Sequence, residues 1–175
     1  MKMPIQILKR LSDEERSSLQ AFSLKDPSAG SILIAWASET GTAERLAFET
    51  ATALQAQGLS VMVLPFSEVS IQQLTTIGVA VFLTSTWGDG DPPTNGEALL
   101  KAFLASTEPL PNLRYTVCAV GDSAYPRFCQ CGKDLDIALE QLGATRLAPL
   151  ATCDIDVEPD FNLWLEAVLD ALSNN

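Results

Sequence analysis

The sequence predicts an α/β domain: a doubly wound, five-stranded parallel sheet of order 2-1-3-4-5 with helices on both faces. Three observations predict it. From residue 31 onward, short apolar runs alternate with longer stretches of helical periodicity, the rhythm of strand–helix–strand units. The runs are apolar at consecutive rather than alternate positions, which suits strands buried on both faces. The last run contains Pro149, which cannot donate to a ladder and so belongs at a sheet edge, where this order puts strand five.

Residues 1–30 read as an N-terminal appendage and residues 31–175 as the domain. In the appendage, Ser12-Asp13-Glu14-Glu15 forms a capping box that opens a short helix through about Phe22, and residues 26–30 are a turn-rich linker. Ile32 to Trp36 is the first strand. A helix follows from about Thr42 to Gln57, with Ala47, Ala51 and Leu54 at helical spacing and Gly58 as its stop. Val61 to Leu64 is the second strand, and residues 67–77 supply a weaker helix. Residues 78–83 make the third strand. Thr94 and Glu97 predict a capping box ahead of Leu99, Leu100, Phe103 and Leu104. Tyr115 to Val120 is the fourth strand, followed by a helix carrying Leu135, Leu139 and Leu142 that stops at Gly143. The fifth strand covers about Thr145 to Leu150, and Phe161, Trp164, Leu165, Val168 and Leu172 mark a closing helix.

Charge narrows the function classes. The 175 residues carry 22 Asp and Glu against 11 Lys and Arg, for a net charge of -11, and there is no histidine. Within this chain that excludes Ser-His-Asp and Cys-His catalysis, histidine metal sites and imidazole proton shuttles. A phosphate backbone needs a basic footprint, so nucleic acid is not an expected partner. The excess is localised: residues 1–30 sum to +1 and residues 31–175 to -12. Asp154, Asp156, Glu158, Asp160, Glu166 and Asp170 run with no base among them. Such a run is either a solvated face or a docking surface for a basic partner.

The four cysteines do not make a disulfide framework in a chain of this length. Cys118 and Cys153 lie in or beside apolar runs and read as small buried hydrophobes, while Cys129 and Cys131 form neither a redox C-x-x-C nor a zinc set. No signal-peptide core follows Lys2, and no apolar run approaches the ~18 residues a spanning helix needs. A cytoplasmic setting without membrane insertion is expected.

In a doubly wound sheet, ligands bind beyond the carboxyl ends of the strands near the reversal of winding, so the loops after strands one, three and four carry the functional expectation. The first loop is Ser38, Glu39, Thr40, Gly41, Thr42 and Ala43. Its hydroxyls, its glycine and the helix start behind it form a cradle of neutral donors suited to a phosphate. It holds no lysine, and neither G-x-x-x-x-G-K-[ST] nor G-x-G-x-x-G occurs. The second loop runs from Ser85, Thr86, Trp87, Gly88 and Asp89 to Asn95, with Trp87 a platform for a flat ring and Gly88 free to turn its carbonyl. The third loop is Gly121, Asp122, Ser123, Ala124, Tyr125, Pro126, Arg127, Phe128 and Cys129, with Tyr125 as the second face of the slot. Two aromatics beside a phosphate cradle describe a site for a planar heterocycle bearing a monophosphate.

Thr40-Gly41-Thr42-Ala43-Glu44, the segment from Thr86 to Pro93, and Gly121-Asp122-Ser123 with Tyr125 resemble the FMN-binding loops of the flavodoxin superfamily, specifically the FMN domain of diflavin reductases. The stretch from Phe128 to Asp134 most resembles that of the NADPH-sulfite reductase flavoprotein. Trp87 departs from that subgroup, which typically carries a smaller polar residue there, and resembles the cytochrome reductases instead. The resemblance implies a flavodoxin-like fold and FMN as cofactor. It makes Ser38 to Ala43 the phosphate loop and Ser85 to Gly88 one side of the ring, with Asp89 beside them among the cofactor-binding residues. Val120 to Cys129 become the other side, and Asp154 a further flavin contact.

The same resemblance implies a single-electron carrier between a reductase flavin and a haem or iron–sulfur acceptor. The chain is then either a freestanding carrier or one module of a longer reductase, with FAD- and NADPH-binding domains expected beyond residue 175. Its partners would present a basic docking face. Trp87 and Tyr125 would stack on the ring and Gly88 would offer its carbonyl to a protonated N5. Asp89, Asp91, Asp122 and Asp154 would disfavour an anionic ring. The rival readings are a docking module whose ligand site is unused and a small FMN-dependent quinone reductase.

Overall fold

A computed structural model describes residues 30–173, so the appendage helix expected before Phe22 lies outside the described residues. The elements are β1 (Ile32–Ala37), α1 (Thr42–Ala56), β2 (Val61–Pro65), a 3-10 turn (Phe66–Glu68), α2 (Ile71–Leu74), β3 (Val79–Ser85), α3 (Glu97–Ala105), β4 (Arg114–Val120), α4 (Gln130–Gln141), β5 (Thr145–Arg146), β6 (Ala151–Cys153) and α5 (Glu158–Ser173). The sheet is parallel in the order β2-β1-β3-β4-β5, with β6 also pairing β4. The expected 2-1-3-4-5 winding is therefore present.

Consecutive apolar residues bury both faces. On one face Leu46, Ala47 and Leu54 of α1 and Phe161, Trp164, Leu165 and Val168 of α5 pack on Ile32, Ile34, Val81 and Leu83. On the other, Leu99, Leu100 and Phe103 of α3 and Leu135 and Leu139 of α4 pack on Leu33, Ala35, Phe82 and Val117. Phe82 joins this second core edge-on to Phe66 and Phe103, each with ring centroids 6.0 Å apart. The Trp164 indole N–H reaches Thr116 Oγ1 at 2.8 Å, so burying that tryptophan strands no donor.

Helix ends follow their local chemistry. After α1, Gly58 takes φ +80, its N–H donates to the Gln55 carbonyl and the Leu59 N–H to the Leu54 carbonyl. Gly143, with φ +84, repeats the pattern after α4: its N–H donates to Glu140 and that of Ala144 to Leu139. Both are Schellman stops, and both require a residue that tolerates positive φ.

Three expectations need correction. The helix over 67–77 reduces to the 3-10 turn and the single turn α2, because Ser70 forms a reciprocal cap with Gln73 and starts a new helix where continuation was expected. The Thr94–Glu97 capping box does not form: Gly96 is the N-cap of α3, with no side-chain cap, and Thr94 is engaged elsewhere. The fifth strand is split. Thr145–Arg146 pairs the start of β4 and Ala151–Cys153 its end, while Pro149, lacking an N–H, lies in the gap at the sheet edge.

The split edge is latched from behind. Asp136 on α4 is buried and accepts two hydrogen bonds from Arg146, at 3.0 and 2.9 Å. The Tyr115 hydroxyl donates to the Asp136 carbonyl at 3.0 Å. A fork-to-carboxylate contact fixes orientation as well as charge, which holds the short strand β5 in register.

Candidate functional site

Register alone brings three loops together. Ala37 of β1 pairs Thr84 of β3, and Ser85 pairs Val120 of β4, so the chain leaves three adjacent strands at one rim of the sheet. The Ser38 and Ser85 hydroxyls lie 3.5 Å apart, and the Thr86 N–H donates to the Val120 carbonyl at 2.9 Å.

The loop after β1 is organised around Ser38. Its hydroxyl accepts the N–H groups of Gly41 (3.0 Å) and Ala43 (3.3 Å), and Gly41 takes φ +92 to make the turn. Among the described residues, the N–H groups and hydroxyls of Thr40 and Thr42 have no hydrogen-bond partner. They are unspent donors at the start of α1, where the helix dipole favours an anion. The Glu39 carboxylate is engaged by the neighbouring loop: it accepts the Thr94 N–H (2.9 Å) and hydroxyl (3.0 Å).

The loop after β3 folds into a tight hairpin. Trp87 and Asp91 exchange backbone hydrogen bonds, 2.7 and 2.8 Å, with Gly88 (φ +50) and Gly90 (φ +115) at the bend and Asp89 exposed between them. Only glycine makes this hairpin cheaply. A Cβ on Gly90 would also stand 2.7 Å from Arg127 Nε, so the second and third loops pack against each other there.

The loop after β4 is held from three directions. The Asp122 carboxylate accepts the Ala124 N–H (2.8 Å) and its carbonyl the Tyr125 N–H (3.1 Å), an Asx turn that sets Tyr125. Asp154 accepts the N–H of Ser123 (2.9 Å), the Ser123 hydroxyl and the N–H of Ile155 (2.8 Å). The Ser123 hydroxyl and N–H hold the Asp154 carboxyl below the usual carboxylate range. Cys129 caps α4 with φ +56, a left-handed conformation that a non-glycine residue adopts at a cost of ~1–2 kcal/mol. Its thiol donates to the Ala119 carbonyl at 3.4 Å, and a Cβ on Gly121 would stand only 2.9 Å from its backbone nitrogen.

Between the second and third loops lies a cleft of about 330 Å³ lined by Thr86, Trp87, Gly88, Asp122, Tyr125, Arg127, Phe128 and Cys129. Of its three aromatics, two are unusually bare for their size: Trp87 is 55% exposed and Tyr125 48%. Val120, Gly121, Ser123, Ala124, Pro126, Asp89 and Asp154 are not part of the lining. Val120 is buried in the sheet, and Asp154 is bonded to Ser123 of the third loop. Neither Thr94 nor Asn95 stands out as a site residue in the sequence, yet both bind the first loop. Their partners lie 55 and 57 residues away, a separation that no local pattern reveals.

All four cysteines are free and buried. Burial pushes the Cys129 thiol up to about 12 and that of Cys131 to about 11, and the hydrogen bond to Cys153 together with burial pushes Cys118 up as well. Neutral thiols of this kind are poor nucleophiles. Among the described residues no group of acids and cysteines could hold a metal ion, and no helix is long and apolar enough to cross a membrane.

Comparison with known proteins agrees with the fold. The family model described as Flavodoxin matches residues 34–164. Among curated proteins, the sulfite reductase [NADPH] flavoprotein alpha-component of Shewanella sp. (strain ANA-3) is 38% identical over 147 residues, 83% of this chain. The corresponding protein of Bacillus subtilis (strain 168) is 36% identical over 143 residues, 81% of this chain. The matched part is 24% of either relative, so this chain corresponds to about a quarter of their length. Among solved structures, a flavodoxin of Streptococcus pneumonia TIGR4 superposes with a TM-score of 0.73 at 26% identity, covering 82% of this chain and 97% of that one. A point mutant of the Pseudomonas aeruginosa flavodoxin gives 0.70 at 27% identity, covering 82% and 99%. With the family model spanning the sheet from β1 into α5 and flavodoxins superposing over the same extent, the chain belongs to the flavodoxin family.

Proposed function

We propose that the cleft between the second and third loops takes the isoalloxazine ring of FMN, that the loop after β1 takes its phosphate, and that the chain relays single electrons between protein partners. FMN is the cofactor of the flavodoxin family. One observation carries the assignment of the site: two half-exposed aromatics from different loops flank one cleft, and the unspent donors of Thr40 and Thr42 lie on the loop joined to it through Ser38 and Ser85. The residues present fit the group, since an aromatic slot and a neutral anion cradle are what a flat ring with a terminal phosphate requires.

Bound flavin supplies the capacity to accept and release electrons one at a time; the chain supplies the setting. Trp87 and Tyr125 cover the ring and exclude water. Gly88, at φ +50 on the hairpin tip, can rotate its peptide at little cost and hold a proton at ring N5 through its carbonyl. Asp89, Asp91 and Asp122 lie on the two flanking loops and oppose added negative charge on the ring, with Arg127 in the lining as a counterweight. FMN added to the apo-protein is expected to bind one to one and quench its fluorescence. Failure to bind FMN refutes the reading.

The acidic face extends the proposal to partners. A donor of FAD/NADPH reductase type and a haem or iron–sulfur acceptor, each with a basic docking face, suit a domain of charge -12 whose acids crowd the segment 154–170. Rim charges of this kind chiefly speed encounter. Electron-transfer rates to a basic acceptor should fall by about tenfold or more between low and ~0.3 M salt, where screening shortens the reach of the field; a flat salt profile refutes acidic docking. We also assign residues 31–175 to one folded unit with residues 1–30 as its appendage. A cytoplasmic location suits four cysteines that form no disulfide.

A further inference from the structure

The loop after β1 has a charge problem. A phosphomonoester there meets no lysine or arginine within residues 38–43, and the second residue of the loop is itself an acid, Glu39. A free carboxylate at that position would repel the phosphate that Thr40 and Thr42 are placed to hold. In the structure the carboxylate is not free. Both its oxygens are taken by a single residue of the neighbouring loop: the Thr94 N–H reaches Oε2 at 2.9 Å and the Thr94 hydroxyl reaches Oε1 at 3.0 Å. The next residue completes the attachment. Asn95 accepts the Ser38 N–H on Oδ1 at 3.1 Å and donates from Nδ2 to the Trp36 carbonyl at 3.5 Å. Two consecutive residues after the hairpin thus grip the end of β1 and the first two residues of the loop.

The geometry points to Thr94 and Asn95 as positioning residues that make the site selective for a phosphorylated flavin, Thr94 by parking the Glu39 charge and Asn95 by fixing Ser38. Ser38 is the pivot of the loop, because its hydroxyl orders Gly41 and Ala43. Loosening its N–H therefore loosens the whole cradle. Parking Glu39 acts differently. It leaves the loop shape alone and moves a negative charge out of the anion's reach, an effect worth about tenfold in affinity for one like-charge contact at a dielectric between those of water and protein. Neither residue lines the ring cleft, so binding of a flavin without phosphate should not feel them.

The inference rests on the FMN reading, and the test separates the two. Apo-protein variants Thr94→Val, Asn95→Ala and Thr94→Val with Glu39→Gln are titrated with FMN and with riboflavin, following flavin fluorescence. The wild-type chain should prefer FMN. Thr94→Val should weaken FMN about tenfold while leaving riboflavin within about twofold, and the deficit should shrink as salt screens the freed carboxylate. Adding Glu39→Gln should restore most of the FMN affinity, because the repelling charge is gone. Asn95→Ala should weaken FMN without a salt-dependent recovery. Equal losses for FMN and riboflavin would overturn the inference, and so would no loss, or no rescue by Glu39→Gln. If the wild-type chain binds FMN no better than riboflavin, the phosphate reading itself fails and takes the inference with it.

Discussion

Replacing Gly132 with alanine should destabilise the protein by about 1–3 kcal/mol, although alanine is the better helix former by roughly 1 kcal/mol. Gly132 lies in the first turn of α4, where that helix presses on β4. A Cβ there would stand 2.3 Å from the Ala119 Cβ and 3.1 Å from its Cα. The second contact is backbone of a central strand, so no rotamer change relieves it, and the helix must move instead. Urea or thermal unfolding measures the loss, expected at about 2–4 °C of Tm per kcal/mol for a domain of this size. Gly78→Ala is the control, because a Cβ at Gly78 meets nothing within 4 Å and its φ is not positive. If both substitutions leave stability alike, helix and strand are not in the contact described. The displaced end of α4 also carries Phe128 and Cys129 of the cleft, with Lys133 donating to the Phe128 carbonyl at 2.7 Å. The same substitution should therefore weaken FMN binding.

Gly132 shows which kind of information a sequence holds. As a residue type it reads as a flaw in a helix, and only the neighbouring strand explains it. Gly58 and Gly143 are the opposite case: each stops a helix by local φ alone, and each is legible because a Schellman stop needs nothing beyond its own turn. Pro149 is half legible. Its missing N–H predicts an edge, and the structure has that edge, but broken, because the ladder cannot run continuously past it. The helix expected over 67–77 loses to a local competitor, the Ser70–Gln73 cap. The Thr94 cap loses to a distant one, since Glu39 occupies the hydroxyl that would have capped α3. For the site, the aromatics and the glycines stand out because such residues in polar loops are out of place in a core. Arg127 against Gly90, and the grip of Thr94 and Asn95, depend on loops meeting across the sheet rim and leave no periodic mark.

Truncating the two aromatics should remove ligand binding without touching the fold. Trp87 and Tyr125 are each about half exposed, so the apo-protein loses little buried area when either becomes alanine, and its unfolding free energy should stay within about 1 kcal/mol of wild type. Stacking of a flat heterocycle on an aromatic is worth about 1–3 kcal/mol when measured by truncation of the aromatic. Each single variant should therefore weaken FMN roughly 5- to 150-fold, and riboflavin to the same degree, because the ring is common to both. That equality distinguishes these residues from Thr94 and Asn95, whose variants should separate the two ligands. Trp87→Phe should keep most of the affinity, as a smaller ring still covers the flavin. The backbone argues that Trp87 matters more. Its N–H and carbonyl are both bonded to Asp91 in a hairpin, while Tyr125 is positioned through one turn on Asp122. A platform fixed before binding loses less entropy on contact, so more of its stacking energy appears as affinity. The double variant decides whether the two act on one ring. If both cover the same flavin, removing the second when the first is gone costs a different amount from removing it alone. Strict additivity would mean that the two act independently of each other, and unchanged binding in either single variant would place the flavin out of that aromatic's reach.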